Sequence, residues 1–89
     1  MQAWNIQYTK QAERQLKRLS PDVETRIRSF MENRVAKLEA PQVIAKKLSG
    51  AYEDRIRYRV GDYRVICRIE DHLLLILVVE VAHRREVYR

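Results

Sequence analysis

The sequence predicts an α+β fold in which two N-terminal helices pack on one face of a mainly antiparallel four-stranded sheet. Two observations lead to this prediction. Apolar residues recur at helical spacing in the first half of the chain, and from residue 51 onward they alternate with polar ones, as in strands. The order of elements is β-α-α-β-β-β. The 89 residues are enough for one domain, residues 1–89, and not for two.

The chain begins with a predicted strand and helix. Residues 4–8 alternate as a short strand, and Thr9 is placed to cap a helix over residues 10–19. The inner side of that helix is expected to carry Ala12, Leu16 and Leu19.

A second helix follows directly. Ser20 is its expected N-cap, Pro21 suits the first helical position, and the helix ends before Pro41. Residues 42–50 are expected to form a connector. The apolar residues at helical spacing, expected to face the core, are Val23, Ile27, Phe30, Met31, Val35 and Leu38.

The second half of the chain predicts three strands. Residues 52–60 and 63–69 alternate on either side of the tight turn Gly61-Asp62. Another turn leads to a strongly apolar strand over residues 73–82, whose continuous apolar run favours a central position covered on both faces. Residues 83–89 form the tail.

The net charge of +6 indicates a polyanionic partner, an acidic protein partner, or both. No lysine follows Lys47, whereas arginine recurs from Arg55 to the last residue. Arginine binds phosphate through two hydrogen bonds and stacks on bases, which lysine does not do. The alternative explanation is a surface that arginine only makes soluble.

The arginines of the predicted hairpin fall on one side of the sheet. Arg55, Arg57 and Arg59 share a face, and Arg64 and Arg68 of the next strand join them, because the apolar residues in between must share the core. Like charges on neighbouring strands destabilise a sheet. A bound anion would explain the arrangement, and Glu53, Asp62 or Glu80 could relieve part of the repulsion.

Several classes of protein are not supported by the composition. Cys67 is the only cysteine, so no disulfide can form within the chain, and no apolar run approaches the ~20 residues of a membrane span. The N-terminus lacks the features of a signal peptide, so a cytoplasmic location is expected. No metal-ligand spacing and no cofactor motif is present. Any catalysis is therefore expected to be metal-free and built from Arg, His, Tyr and Glu.

Two motifs resemble those of a known family. The C-terminal Val-Ala-His-Arg-Arg-Glu-Val-Tyr-Arg of residues 81–89 is similar to the tail of the RelE/ParE toxin superfamily, in particular of the RelE-like messenger RNA interferases. Gly61-Asp62-Tyr63-Arg64 resembles the hairpin motif of the same family, and Leu48-Ser49-Gly50 precedes it at the fitting distance. The resemblance spans essentially the whole chain and implies a RelE-like microbial RNase fold.

The resemblance implies the toxin of a type II toxin–antitoxin system, a metal-independent endoribonuclease that cuts messenger RNA in the ribosomal A site. The 2′-hydroxyl attacks the adjacent phosphate and leaves a 2′,3′-cyclic phosphate. An acidic RelB-like antitoxin is the implied partner, covering or distorting the arginine-rich face or displacing the tail. By position, the implied catalytic residues are Arg57, Arg64, His83, Arg84 and Tyr88, and the implied RNA-binding residues are Arg55, Arg59, Arg68 and Arg85.

The identity of the group that carries the proton stays open. Lysines often occupy the positions of Arg55 and Arg57 in this family, and arginine does not lose its proton. His83 is the first candidate because the histidine pKa lies near neutrality, and Tyr88 is the second. His83 and Arg84 could also exchange roles, since the register of the tail is not fixed by the sequence.

Two other functions remain as alternatives. ParE-like toxins share the fold but block DNA gyrase by binding it, and they need no proton-transfer group in the tail. A non-catalytic RNA-binding module would keep the arginine contacts and cut nothing. Each predicted site residue also has a structural alternative: Arg64 could pair with Glu80, His83 could end a strand, and Tyr88 could anchor the tail.

Overall fold

A five-stranded sheet forms one layer of the molecule and two helices form the other. The computed structural model describes residues 3–48 and 54–83. The strands are β1 (Asn5–Tyr8), β2 (Lys46–Lys47), β3 (Arg55–Val60), β4 (Tyr63–Glu70) and β5 (Leu75–His83), and the helices are α1 (Lys10–Lys17) and α2 (Pro21–Ser29). The strand order is β1-β5-β4-β3-β2. β1 runs parallel to β5, and all other neighbours are antiparallel. The α+β class is confirmed, whereas β4 takes the central position expected for β5, which lies between β1 and β4.

α1 begins where the sequence predicts. The Thr9 hydroxyl accepts a hydrogen bond from the Ala12 amide at 3.1 Å, so Thr9 caps the helix. Ala12 and Leu16 are fully buried, and Leu19 packs against the core just after the helix ends. The helix is two residues shorter than the predicted 10–19.

α2 is shorter than predicted, because its second half leaves the α-helical path. Pro21 occupies the first turn as expected, whereas the hydroxyl of the N-cap residue Ser20 makes no capping hydrogen bond. A π-helical turn over Phe30–Arg34 and a 3-10 turn over Val35–Lys37 replace the expected continuation. Because the wider turn rotates the following residues, Val35 and its neighbour Ala36 are both buried.

The connector contains a strand that the sequence did not predict. After a 3-10 turn over Pro41–Ile44, the chain forms β2, which has only two residues and pairs with β3. The sheet therefore has five strands and not the expected four. Two residues are too short for an alternating pattern to be visible in the sequence.

The core lies between the helices and the sheet. Tyr58 is its largest fully buried side chain, and its hydroxyl donates a 2.8 Å hydrogen bond to the Pro41 carbonyl. The buried thiol of Cys67 lies beside it on β4, and burial raises the pKa of that thiol. No helix within the described residues is long and apolar enough to cross a membrane.

Arg28 joins the helix layer together. Its guanidinium bonds Glu13 of α1 at 2.6 Å and Glu24 of its own helix at 3.0 Å, and lies 4.9 Å from the centre of the Tyr8 ring. The hydrogen bond from Arg28 holds the pKa of Glu13 below its usual value. The contacts of one side chain thus reach α1, α2 and β1.

Candidate functional site

Five arginines share the sheet face that points away from the helices. Arg55 lies directly opposite Arg68, and Arg59 lies directly opposite Arg64, in the pairing of β3 with β4. Arg57 lies between these two pairs, opposite Ile66. The alternate residues of both strands, among them Tyr58, Val65 and Cys67, are buried in the core on the other side. We call this surface, formed by Arg55, Arg57, Arg59, Arg64 and Arg68, the arginine face.

Acidic side chains pair with arginine at one end of the arginine face. Nε of Arg68 lies 3.7 Å from Oδ2 of Asp54, and its Nη2 lies 3.4 Å from Oε2 of Glu70. Asp54 also approaches Arg55, with 4.0 Å between Oδ1 and Nε. Of the acids that the sequence suggested, Asp62 and Glu80 make no ion pair within the described residues, and Glu53 lies outside them.

Arg64 differs from the other arginines in its burial. Only 7% of Arg64 is exposed, whereas Arg59 and Arg68 are exposed. Ile66 beside it and Ala82 opposite it are also buried, although neither belongs to the core beneath the helices. A buried guanidinium has lost much of its hydration, so an anion at this position would be held more strongly than one on an open surface.

Lys46 extends the arginine face beyond the arginines. It lies opposite Arg57 in the pairing of β2 with β3, and its side chain is exposed. The sequence predicts a connector at Lys46 and indicates no role for this residue. Residues 45–48 do not alternate between apolar and polar, so the sequence carries no strand signal here.

His83 lies on the other side of the sheet from the arginine face. Its ring packs edge-to-face against Tyr63, with centroids 5.4 Å apart, and Tyr63 packs against the core beneath the helices. Arg64 is the neighbour of Tyr63 in sequence and therefore points the opposite way. The expected grouping of His83 with Arg57 and Arg64 is not what the structure shows.

A β-bulge in β5 is the reason for the position of His83. Cys67 pairs with Val78, but the next residue of β4, Ile66, pairs with Glu80, so Val79 is an extra residue. The bulge changes which side each later residue of β5 faces. Val81 consequently enters the core, and Ala82 comes to lie opposite Arg64.

α1 bonds the backbone of β5 at the bulge. The Thr9 hydroxyl donates a 3.0 Å hydrogen bond to the Val79 carbonyl, and Oε1 of Gln15 accepts one from the Val81 amide at 2.6 Å. These contacts satisfy backbone groups beyond Tyr8, where β1 ends and pairs no further with β5. The helix layer therefore fixes the register of the strand that borders the arginine face.

The remaining predicted site residues, Arg84, Arg85 and Tyr88, lie outside the described residues. Within the described residues, no group of three or more His, Cys, Asp or Glu side chains is arranged to hold a metal ion.

Comparisons with solved structures define the class of protein. A chain of the RelBE2 toxin–antitoxin complex from Mycobacterium tuberculosis is 25% identical, with a TM-score of 0.86 over 94% of each chain. A chain of the RelB–RelE complex from Methanococcus jannaschii is 25% identical, with a TM-score of 0.68 over 92% of this chain and 94% of that one. The isolated RelE toxin of E. coli shares the fold at 18% identity, with a TM-score of 0.67 over 91% and 84%. The fold is therefore RelE-like, as the resemblance implied.

A family model places the chain within this class. The model of ParE toxins of type II toxin–antitoxin systems matches residues 6–88. The chain belongs to this family, within the RelE/ParE superfamily, and is a type II toxin. Comparison with curated proteins gave no match.

Proposed function

We propose that this toxin is a metal-independent endoribonuclease that cleaves messenger RNA in the A site of cytoplasmic ribosomes and so inhibits translation. The observation that carries the proposal is the arginine face. Two directly opposed arginine pairs, with Arg57 and Lys46 between them, form a concentration of positive charge that gains stability when phosphate is bound. The 2′-hydroxyl of the messenger attacks the adjacent phosphate and gives a 2′,3′-cyclic phosphate and a free 5′-hydroxyl.

We assign each arginine of the arginine face a role according to its position. Arg57 and Arg64 hold the scissile phosphate and stabilise the negative charge that grows in the transition state. Arg55, Arg59 and Arg68, together with Arg85, bind neighbouring phosphates of the messenger or of ribosomal RNA. The partial burial of Arg64 supports its central place in this scheme.

The tail residues take roles that differ from the first expectation. Because His83 packs on Tyr63 away from the arginine face, we assign it to holding the end of β5 and not to proton transfer. Tyr88 stacks on a messenger base and donates the proton to the leaving oxygen, and Arg84 adds charge at the scissile phosphate.

A cognate antitoxin is the second part of the proposal. Structures of similar chains were determined in RelB–RelE complexes, and the net charge of +6 suits an acidic partner. We expect the antitoxin to bind as an acidic RelB-like segment that covers the arginine face or displaces the tail. Salt would then weaken the complex, as it weakens RNA binding.

The decisive experiment is induced expression followed by mapping of messenger 5′ ends. Wild type should arrest growth and cut within codons, and cleavage on purified ribosomes should fall about 10²-fold or more in Arg57→Ala, because charge stabilisation in the transition state is lost. Arg14→Ala removes the same charge from the exposed side of α1 and is the matched control. Intact messengers in cells arrested by the wild type would refute the ribonuclease assignment.

The matching family model favours a second candidate, because it describes ParE toxins. A ParE-like toxin would bind DNA gyrase and cleave no RNA. A supercoiling assay with purified gyrase separates the two: inhibition of supercoiling together with intact messengers supports the second candidate, and unimpaired supercoiling with cut messengers supports the first.

A further inference from the structure

Within the described residues, the carboxylates of Asp54 and Glu70 beside the arginine face are already paired with Arg68. Guanidinium groups stay protonated at any pH at which the protein is folded, so they stabilise charge but cannot take the proton of a 2′-hydroxyl. His83 lies on the opposite side of the sheet. A carboxylate that faces the arginines and makes no ion pair with a described residue would be suited to act as the base of the proposed cleavage.

Glu80 has this position. Ile66 of β4 pairs with Arg57 on one side and with Glu80 on the other, so the three residues form one row across the sheet. Adjacent strands lie about 4.8 Å apart, which places the Cα atoms of Arg57 and Glu80 about 10 Å from each other. Two long side chains at this separation can hold one ribose-phosphate unit between them. Arg64 lies diagonally across from Glu80, since its own partner is Ala82.

The bulge at Val79 is what turns Glu80 toward the arginines. In an uninterrupted ladder after Cys67–Val78, Val79 would pair with Ile66, and Glu80 would pair with Val65 inside the core. The extra residue moves Glu80 to the open side and Val81 into the core. A carboxylate in the core would be costly, so the hydrophobic pattern and the bulge favour the same register.

The groups around Glu80 are predominantly basic. Arg57 of β3 and Arg64 of β4 lie on the same face as Glu80, and Arg18 of the α1 C-cap lines, with Glu80, a cavity of about 270 Å³ at the edge of β5. His83 lines the same cavity. Glu80 is half-buried, and it makes no hydrogen bond or ion pair with another described residue. It contrasts with Glu70, which pairs with Arg68 on the same face.

We propose that Glu80 is the general base of this ribonuclease, a catalytic role that rests on the proposed function. The Glu80 carboxylate takes the proton of the 2′-hydroxyl while that oxygen forms its bond to phosphorus. The bond from phosphorus to the 5′-oxygen breaks, and that oxygen takes the Tyr88 proton. Proton exchange with water then restores both side chains. Gln15 and Thr9 are positioning residues, because they hold the bulge that presents Glu80.

The test compares Glu80→Gln and Glu80→Asp with wild type on ribosomes programmed with a short messenger. Glu80→Gln keeps the size of the side chain but cannot take the proton, so the single-turnover cleavage rate should fall about 10²-fold or more. The acid limb of the rate–pH profile should disappear in Glu80→Gln and persist in Glu80→Asp, which should keep part of the rate. Glu39→Gln changes an exposed acid between the 3-10 turns over Val35–Lys37 and Pro41–Ile44; it is the charge-matched control and should cleave as wild type.

Binding measurements separate a chemical role from an electrostatic one. Affinity for a fluorescent RNA analogue without 2′-hydroxyls, which cannot be cut, should stay the same or rise in Glu80→Gln, and circular dichroism should show the native fold. Cleavage by Glu80→Gln at the wild-type rate would overturn the inference and leave the ribonuclease proposal intact. A wild type that cuts no messenger would overturn the ribonuclease proposal itself.

Discussion

Replacing Gln15 by alanine removes the only described contact of the Val81 amide with α1, and its cost can be worked from the structure. Oε1 of Gln15 accepts that amide at 2.6 Å, and both residues are at least partly buried. A buried amide left without an acceptor costs about 1–3 kcal/mol. Because water can reach the half-buried position of Gln15, we expect about 1–2 kcal/mol, the lower part of that range. In a chain of this size each kcal/mol lowers Tm by about 4–8 °C.

Urea denaturation measures this cost, and hydrogen exchange of the Val81 amide locates it. Gln15→Ala should lower the midpoint without changing the m-value and should accelerate exchange at Val81. Gln15→Glu keeps an acceptor oxygen and should restore most of the protection. Gln11→Ala, on the exposed side of the same helix, is the control. Unchanged exchange at Val81 in Gln15→Ala would refute the idea that α1 holds the bulge.

Three further predictions concern the core and the helix layer. Tyr58→Phe should cost about 1–2 kcal/mol in urea denaturation, because it leaves the Pro41 carbonyl without its donor; an unchanged midpoint would contradict this. Cys67 is fully buried and burial raises its pKa, so iodoacetamide should not modify it in the folded protein, and labelling should follow global unfolding only. Arg28 lowers the pKa of Glu13, so this pair stabilises the fold above the ordinary carboxyl pKa and loses its effect as pH falls below about 5. Glu13→Gln should therefore show a shallower loss of stability in acid than wild type, and parallel curves would argue against it.

The arginine face could be predicted from the sequence because the alternation and the turn residues of the β3–β4 hairpin together determine which residues pair. Arginine alternates with apolar residues on both strands, and Gly61-Asp62 sets the turn with Gly61 at a φ of 60°. An L side chain rarely adopts that conformation, so the glycine fixes where the chain reverses. Once the turn is placed, the pairs Arg59–Arg64 and Arg55–Arg68 follow.

The position of His83 could not be predicted, because the sequence gives no sign of the β-bulge that precedes it. Val78, Val79 and Val81 are all apolar, so a change of face between Val78 and Val81 leaves no break in the pattern. The groups that stabilise the bulge, Thr9 and Gln15, are some 70 residues away in sequence, as the bond from Thr9 to Val79 shows. Tertiary hydrogen bonds of this kind decide a register that local alternation leaves open.

The π-helical turn and β2 were also not predicted, because neither leaves a local sequence pattern. The apolar spacing of Ile27, Met31 and Val35 fits an α-helix, and only the burial of the adjacent Ala36 distinguishes the wider turn. In β2, two lysines give no apolar signal at all. Both features depend on what the rest of the chain packs against them.

The parallel pairing of β1 with β5 has a consequence for the synthesis of the protein. Asn5 is paired with Leu75 and Tyr8 with Val78. During synthesis β1 is therefore made well before its partner strand β5. Such distant pairing is slow to form, and here it cannot begin until β5 has emerged. A nascent chain therefore has an incomplete sheet until β5 can pair with β1.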